Sequence, residues 1–578
     1  MKKKTSVPIA CMVLLSVFAL YSSIAQASPD EYFFKVVITI DAADTTGLEF
    51  LQGYAVPGMK EIGIDVEIDP VEYTMQMEML RTQRKPYAEG GWDIQSTYLD
   101  IFSDPDQTLQ YHSESVPPQG FNYMDYRSAD SDQLLETGMS TFDPDERREV
   151  YQEFYKLILD ELPVIPFYTV EGLHPFRAGI EGIETYAGER VANDDAWCAQ
   201  FLTGIEGDTF HYAWDWDLDR FLPTFGYAST EGMFMRVFGT NIDGSVRPDL
   251  AETWEWAEGH STLTIHLRED VKWSDGVPFN STDVKYTYEL IMNPDTGSPD
   301  YTRMTTMISS IETPDAHTVV LNILPEGRSP ALEEVLSWRG MGILPAHVLA
   351  DVPAEELSES VYNQEPGLVP VTGPYNMIEA NTGEYYKWER NPEWPWGPWT
   401  TIGPKYVICH VISEKASALA ALEAGEVHHI SWWYAAETHY EYLEANPDIQ
   451  LTTGLTDKAD GLFINLNHPI LCNKWVRKAI ANAINSEAYV DDVRYGIGYP
   501  TSLPIRRVYW TMEDFPENHL IPYNLAEAKA NMEKAGFDYD WLNPTTAVNP
   551  LYVGGFLVVG IAVGATIVFV ITRVRKPR

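Results

Sequence analysis

Residues 248–284 read PDLAETWEWAEGHSTLTIHLREDVKWSDGVPFNSTDV. Thr262, Thr264, His266 and Arg268 alternate there with Leu263, Ile265 and Leu267. A period of two puts alternate residues on opposite faces, so the run predicts a strand with one buried side. Trp273-Ser274-Asp275-Gly276 predicts a turn, with Gly276 where a positive φ is tolerated. Ser281, Thr282 and Asp283 precede a helical run carrying Val284, Tyr288 and Leu290, and their short polar side chains can cap it. Local physics alone gives a strand, a turn and a helix of some α/β protein.

The residue order says more. Pro248-x-Leu250-Ala251-Glu252-x-Trp254 is followed by Leu267-Arg268-x-x-Val271-Lys272-Trp273-x-Asp275-Gly276-x-Pro278-Phe279 and then Asp283-Val284. This order resembles the signature of the family 5 extracellular solute-binding proteins, the receptors of peptide, nickel and oligosaccharide ABC importers. The resemblance implies a two-lobed α/β fold of the type II periplasmic-binding-protein kind, with an extra subdomain on the first lobe. It also implies a ligand lodged between the lobes, hinge closure over it, and a closed face presented to permease subunits. No catalytic step and no cofactor are expected.

The rest of the chain carries the same resemblance in rearranged order. Asp208 to Ala213, Val371-Thr372-Gly373-Pro374-Tyr375, Arg390-Asn391-Pro392 and Ala418 to Glu426 resemble the family's successive early and middle elements. Asn465, Pro469, Val476-Arg477, Ala526, Ala528-Lys529 and Lys534-Ala535-Gly536-Phe537 resemble its later helices. The family's closing elements come first here. They are the strand FFKVVITI from Phe33, the alternating Ile62 to Ile68, an Asp-Pro turn at Asp104-Pro105, Asn122-Tyr123, and Glu146-Arg147-Arg148 with Tyr151 before Pro163. Each part appears once, which suggests a circular permutation. On this reading residues 31–185 are the C-terminal-type portion, 186–206 join the old ends, and 207–540 are the N-terminal-type portion. A chain that completes its sheet by swapping with a neighbour is the rival.

Both ends suggest targeting. Residues 1–27 read as a signal peptide: Lys2-Lys3-Lys4, an apolar run, then Ala25-Gln26-Ala27. Residues 551–572 are apolar and uncharged, long enough for a membrane helix of roughly 20 residues. A stalk at 541–550 precedes them and a basic tail at 573–578 follows, which predicts a cytoplasmic C-terminus and a cell-surface, extracellular body.

The chain has 578 residues and a formal charge of −45. So acidic a surface excludes nucleic acid as a partner, because phosphate binding needs a basic face. Cys198, Cys409 and Cys472 remain after leader removal, so any one bridge leaves a thiol over. No His or Cys cluster has metal-site spacing, and His428-His429 point apart on a strand. Asn280-Ser281-Thr282 is a glycosylation sequon that a helix cap explains equally well.

The candidate site is the stretch 92–106. In peptide-binding relatives an Asp before the Asp-Pro turn pairs with the ligand's α-ammonium, and a buried carboxylate does need such a partner. Asp100 is the nearest match, with Ser96, Tyr98 and Asp104 beside it, although its spacing to Pro105 is one residue longer than in those receptors. Trp432 and Trp433 follow Gly425-Glu426, where the resemblance places the entry to the second lobe. Adjacent strand residues face opposite ways, so only one of the two can reach the cleft. Trp214 and Trp216 share a face near the start of the first lobe. The ligand expected is a small solute, a peptide first and an oligosaccharide second, while a surface structural or sensory protein without transport is the alternative from another class.

Overall fold

The computed structural model describes residues 32–101, 104–189, 195–215, 217–218, 220–225, 232–241, 243–431, 439–505, 510–512, 515 and 520–539. Its strands, in chain order, begin with β1 Phe34–Asp41, β2 Ile64–Val71, β3 Ile94–Asp100, β4 Val164–Arg177 and β5 Thr209–Trp214. Next come β6 Phe238–Thr240, β7 Val246–Pro248, β8 Ala251–Trp256, β9 Thr262–Leu267, β10 Ile308–Asp315 and β11 Thr318–Ile323. The last are β12 Tyr375–Asn381, β13 Tyr385–Arg390, β14 Tyr406–Val411, β15 His429–Ile430, β16 Ile449–Ile464 and β17 Tyr499–Pro500.

The opening stretch folds as its pattern dictates. Leu263, Ile265 and Leu267 of β9 are buried at 0%, 0% and 2% exposure, and β9 pairs with β8 and β11 in an antiparallel sheet ordered β10-β11-β9-β8. Gly276, at φ 85°, closes the turn with its N–H on the Trp273 carbonyl at 2.8 Å. The helix Ser281–Ile291 is capped one residue earlier than expected, by Asn280, whose side chain accepts from the Thr282 N–H. Asp283 answers from inside the first turn. It accepts from Asn280 N–H, Trp273 Nε1 and Ala346 N–H, at 3.0, 3.2 and 2.9 Å. A buried carboxylate needs such donors, and these three tie turn, helix and a following loop together.

One larger sheet runs through most of the described chain, in the order β12-β13-β14-β5-β15-β4-β16-β3-β1-β2, with β17 also on β4. It serves two lobes. In the first, one face of β5 and β14 meets the core of Phe210, Tyr212, Val407 and Cys409 beneath the small sheet, and Ala213 meets a second core with Ala418 and Leu422. In the second lobe, Val36, Ile38 and Ile40 pack with Phe50, Met59 and Ile480, while Leu99, Tyr155 and Phe463 form the core of the opposite face. Among the described residues, only β4 and β16 run through both lobes.

Strands from the two ends of the chain are therefore neighbours. β1 lies between β2 and β3, and β3 pairs with β16 from Ile94↔Ile464 to Asp100↔Lys458. Phe537, just after the helix Leu525–Lys534, sits 5.1 Å from Phe33 and 5.3 Å from Phe34 between ring centroids. Asn465 Nδ2 donates to the carbonyls of Lys85 and Trp92, at 2.9 and 2.6 Å.

The expected membrane anchor is corrected. No helix among the described residues is long and apolar enough to cross a membrane. The fold class stands as the two-lobed α/β body alone, and cell-surface anchoring drops out of the account. The leader 1–27, the stalk 541–550, the apolar run 551–572 and the tail 573–578 lie outside the described residues. Cys409 lies buried on β14, whereas the Cys472 thiol donates to the Pro469 carbonyl at 3.4 Å.

Asn465→Ala strips three bonds from a site only 1% exposed, the two to the Lys85 and Trp92 carbonyls and the one its Oδ1 accepts from the Asn467 N–H. It should lower the unfolding free energy by about 2 kcal/mol in urea titrations, with the denaturant slope unchanged.

Candidate functional site

The crevice follows from strand direction. β1, β2 and β3 are parallel, and β3 ends at Asp100 opposite Lys458 of β16. In the other lobe β14, β5 and β15 are parallel, and β15 runs against β4 through His429↔Phe176. The carboxyl ends of both parallel sets, at Asp41 and Asp100 on one side and Trp214, Val411 and Ile430 on the other, therefore converge on the middle of β4 and β16. Here the ladder slips. Leu455 pairs with Glu171, but the next partners are Ala459 and Thr169, so residues 456–458 bulge opposite Val170. Thr456 Oγ1 donates to the Val170 carbonyl at 2.7 Å and holds the bulge. Crevices at the carboxyl ends of parallel strands are where open α/β sheets bind ligands.

The sequence candidates fall unequally around this point. Asp100 ends β3 beside the bulge, and its side chain lies outside the described ones. Tyr98 stands two residues back and is half-buried. Its hydroxyl meets the Tyr73 hydroxyl at 2.8 Å, and the Lys458 ammonium lies 4.0 Å from its ring centroid. Ser96 is only 4% exposed, deep in the sheet, and its carbonyl accepts from Gln76 Nε2. Asp104 is already engaged: Arg147 grips both of its oxygens, at 2.7 and 2.8 Å, with side-chain exposures of 12% and 6%. Trp214 ends β5 half-buried, and its carbonyl accepts from Ile412 N–H. Trp216, Trp432 and Trp433 lie outside the described residues. The strand before Trp432, β15, still belongs to the first lobe, and the crossing into the second lobe comes later, within β16.

Some crevice residues carry no sequence signal. Tyr73 and Met75, 39% and 55% exposed, open the helix Tyr73–Thr82 just after β2. Asp44 caps the helix Thr45–Phe50 past the end of β1, and burial raises its carboxyl pKa despite the Gly47 N–H bond. Lys458 became visible only through the register of β16.

His211 and His428 stand towards the starts of their strands, whereas His410 stands one residue before the end of β14. His211 N–H donates to His428 Nδ1, and the His211 and His410 rings meet at 2.9 Å between Nδ1 and Nε2. Burial, then the two neighbouring imidazoles, pushes His211 down to about 4. His429 is fully buried and donates from Nδ1 to the Pro175 carbonyl. Among the described residues no cluster of His, Cys, Asp or Glu could hold a metal ion.

Fold and crevice together define a two-lobed binding protein. Residues 245–553 match the family model described as bacterial extracellular solute-binding proteins, family 5 Middle, and the chain belongs to that family. A putative ABC transporter peptide-binding protein of Brucella ovis is 28% identical over 294 residues, 50% of this chain and 52% of that protein. The oligopeptide-binding protein AppA of Bacillus subtilis is 26% identical over 301 residues, 51% of this chain and 52% of that one. The chain thus spans about half the length of the curated relatives it matches. Among solved structures, NikZ from Campylobacter jejuni in complex with Ni(L-His) aligns at a TM-score of 0.45 and 23% identity, over 58% of this chain and 64% of that one.

Arg147→Met leaves the Asp104 carboxylate buried without its counter-ion, held only by the Asp106 N–H among the described residues, and should cost about 3–5 kcal/mol of stability. Arg147→Met combined with Asp104→Leu should recover most of that loss, as read by chemical denaturation.

Proposed function

We propose that the protein is a receptor that captures a small solute, a peptide in the first instance, and hands it to the permease of an ABC importer. The observation that carries this reading is the convergence of strand ends from both lobes on the β16 bulge. Family membership adds to it, as do the peptide-binding names of the Brucella and Bacillus relatives. Tyr73 and Tyr98 offer ring surface, and Asp41 and Asp44 offer carboxylates near the same strand ends, groups suited to a peptide's apolar side chains and its ammonium. Binding and hinge closure are the whole activity on this reading, and no chemical step is required.

The segment order fits a circular permutation in which 31–185 and 207–540 are the exchanged portions and 186–206 join them. Supporting this are the placement of β1 beside β3 and β16, and the contact of Phe537 with Phe33. Permutation is tolerated where the ends lie close together on exposed loops.

Thermal melting with tri- to pentapeptides and with oligosaccharides tests the ligand class. Peptides at a hundredfold excess over their Kd should stabilise by about 2.7 kcal/mol and raise the Tm. Tyr98→Ala should abolish that rise while leaving the ligand-free Tm within a few degrees. A rise with oligosaccharides alone would move the reading to a sugar receptor. No rise with either would favour a surface protein without transport.

A further inference from the structure

A cavity opens in the second lobe where three helices meet. The helix Lys474–Ala483 brings Trp475, Lys478 and Asn482 to it, spaced by three and four residues and therefore on one face. Its other face, with Val476, Ala479 and Ile480, packs in the core with Ile38 and Ile40, so the cavity lies outside that core. The helix Leu525–Lys534 brings Glu527, Asn531 and Lys534, again on one face. Leu159, near the end of the helix Pro144–Glu161, and Ile521 complete the wall around about 240 Å³. None of these residues belongs to the crevice between the lobes.

The polar groups of this lining are mostly donors. The Lys478 and Lys534 ammonium groups stand 5.0 and 4.8 Å from the centroid of the same Trp475 ring, and Lys474 is a third at 5.9 Å. An ammonium has three N–H donors. Lys478 gives one to Asp160, which Lys474 also holds at 2.7 Å. Lys534 gives one to Glu527 at 3.2 Å and one to Asn531 Oδ1 at 2.9 Å. Two donors remain on Lys478 and one on Lys534. Deeper in, Asn531 Nδ2 donates to Asn482 Oδ1 at 3.1 Å, and Asn482 Nδ2 donates to the Pro522 carbonyl at 3.0 Å. These two residues are 3% and 6% exposed, and each amide keeps a second N–H. Only Glu527 lines the cavity as an acceptor in excess, and Lys534 holds it at the rim. Around one indole, three ammonium groups thus face two carboxylates, in a chain whose acidic side chains outnumber its basic ones by 85 to 40.

We propose that this cavity is a second binding site, which takes a small organic carboxylate between Lys478 and Lys534 and seats its apolar body against Trp475, Leu159 and Ile521. An anion there accepts the unused N–H donors and relieves the repulsion between two ammonium groups drawn to one ring. A neutral guest forgoes the charge-assisted bonds, and a cationic one meets like charges. The apolar wall favours an organic acid over an inorganic anion, because it gains only when hydrocarbon covers it. The volume suits a body the size of a single ring. The site goes beyond the capture of solute in the crevice and does not depend on it.

Isothermal titration calorimetry of the full chain with benzoate, at constant pH and ionic strength, tests the site. Benzoate should bind saturably. Benzamide, which keeps the ring and loses the charge, should bind about tenfold more weakly or worse, since hydrogen bonds to charged groups are the stronger ones. Lys478→Met combined with Lys534→Met should weaken benzoate by a similar factor and leave benzamide as it was. The absence of saturable benzoate binding, benzamide binding as tight as benzoate, or a paired variant that binds benzoate like the wild type would overturn the proposal. Should the paired variant fail to fold, Lys534→Gln decides in its place, because that side chain is 45% exposed and its loss empties no core. A failure of the peptide reading would appear only in the ligand melts and leave the benzoate titrations untouched.

Discussion

The antiparallel ladder between β4 and β16 is the constraint on which the rest of the molecule depends. It is the stretch of sheet that belongs to both lobes, and its backbone groups are paired on either side of the slip at 456–458. A bulge leaves residues unpaired and bends the strand that carries it, so the lobes can tilt about this point without breaking either half of the ladder. Strand direction does the remainder. Each lobe hangs its parallel strands from the ladder so that their carboxyl ends face the bend, and a crevice is the geometric result. Close packing fixes the ladder beside the bend: a Cβ on Gly454 would come 2.4 Å from the Ala187 carbonyl oxygen.

Much of this architecture was legible in the chain, for identifiable reasons. The β9 strand and the Gly276 turn follow from period and turn chemistry. FFKVVITI became β1 because an apolar run of that length suits a strand covered on both faces. The helix cap falls on Asn280, and Asp283, three residues on, closes the reciprocal capping box by accepting from the Asn280 N–H. The lobe crossing was placed near Gly425 and lies instead inside β16, since a bulge depends on two strands' registers and no single stretch encodes it. The apolar run 551–572 follows the membrane-length rule and lies outside the described residues.

The candidate site was legible in part. Asp100 ends β3 and Tyr98 stands two residues before it, as a strand running into the Asp104-Pro105 turn predicts. Asp104 is expected beside Asp100 in the ligand site, but Arg147, 43 residues later, pairs with it. The partner lay inside the Glu146-Arg147-Arg148 stretch, and only the packing of the helix Pro144–Glu161 against the end of β3 brings the two together. Tyr73 and Lys458 were missed for the same reason. In a chain of charge −45, carboxylates are too common for any one to stand out, and burial and pairing must pick them. Asp104 and Asp283 are fixed by their partners.

The central claim is that segments from the two ends of the chain build one lobe around one sheet. Hydrogen exchange of individual amides in increasing sub-denaturing urea tests it most directly. If the claim holds, the amides of β1, β3 and residues 459–464 of β16 converge on a single opening free energy and a single urea slope. If β1 and β3 exchange through an opening of their own while residues 459–464 stay protected, the shared sheet is wrong, and the crevice built on it is wrong with it.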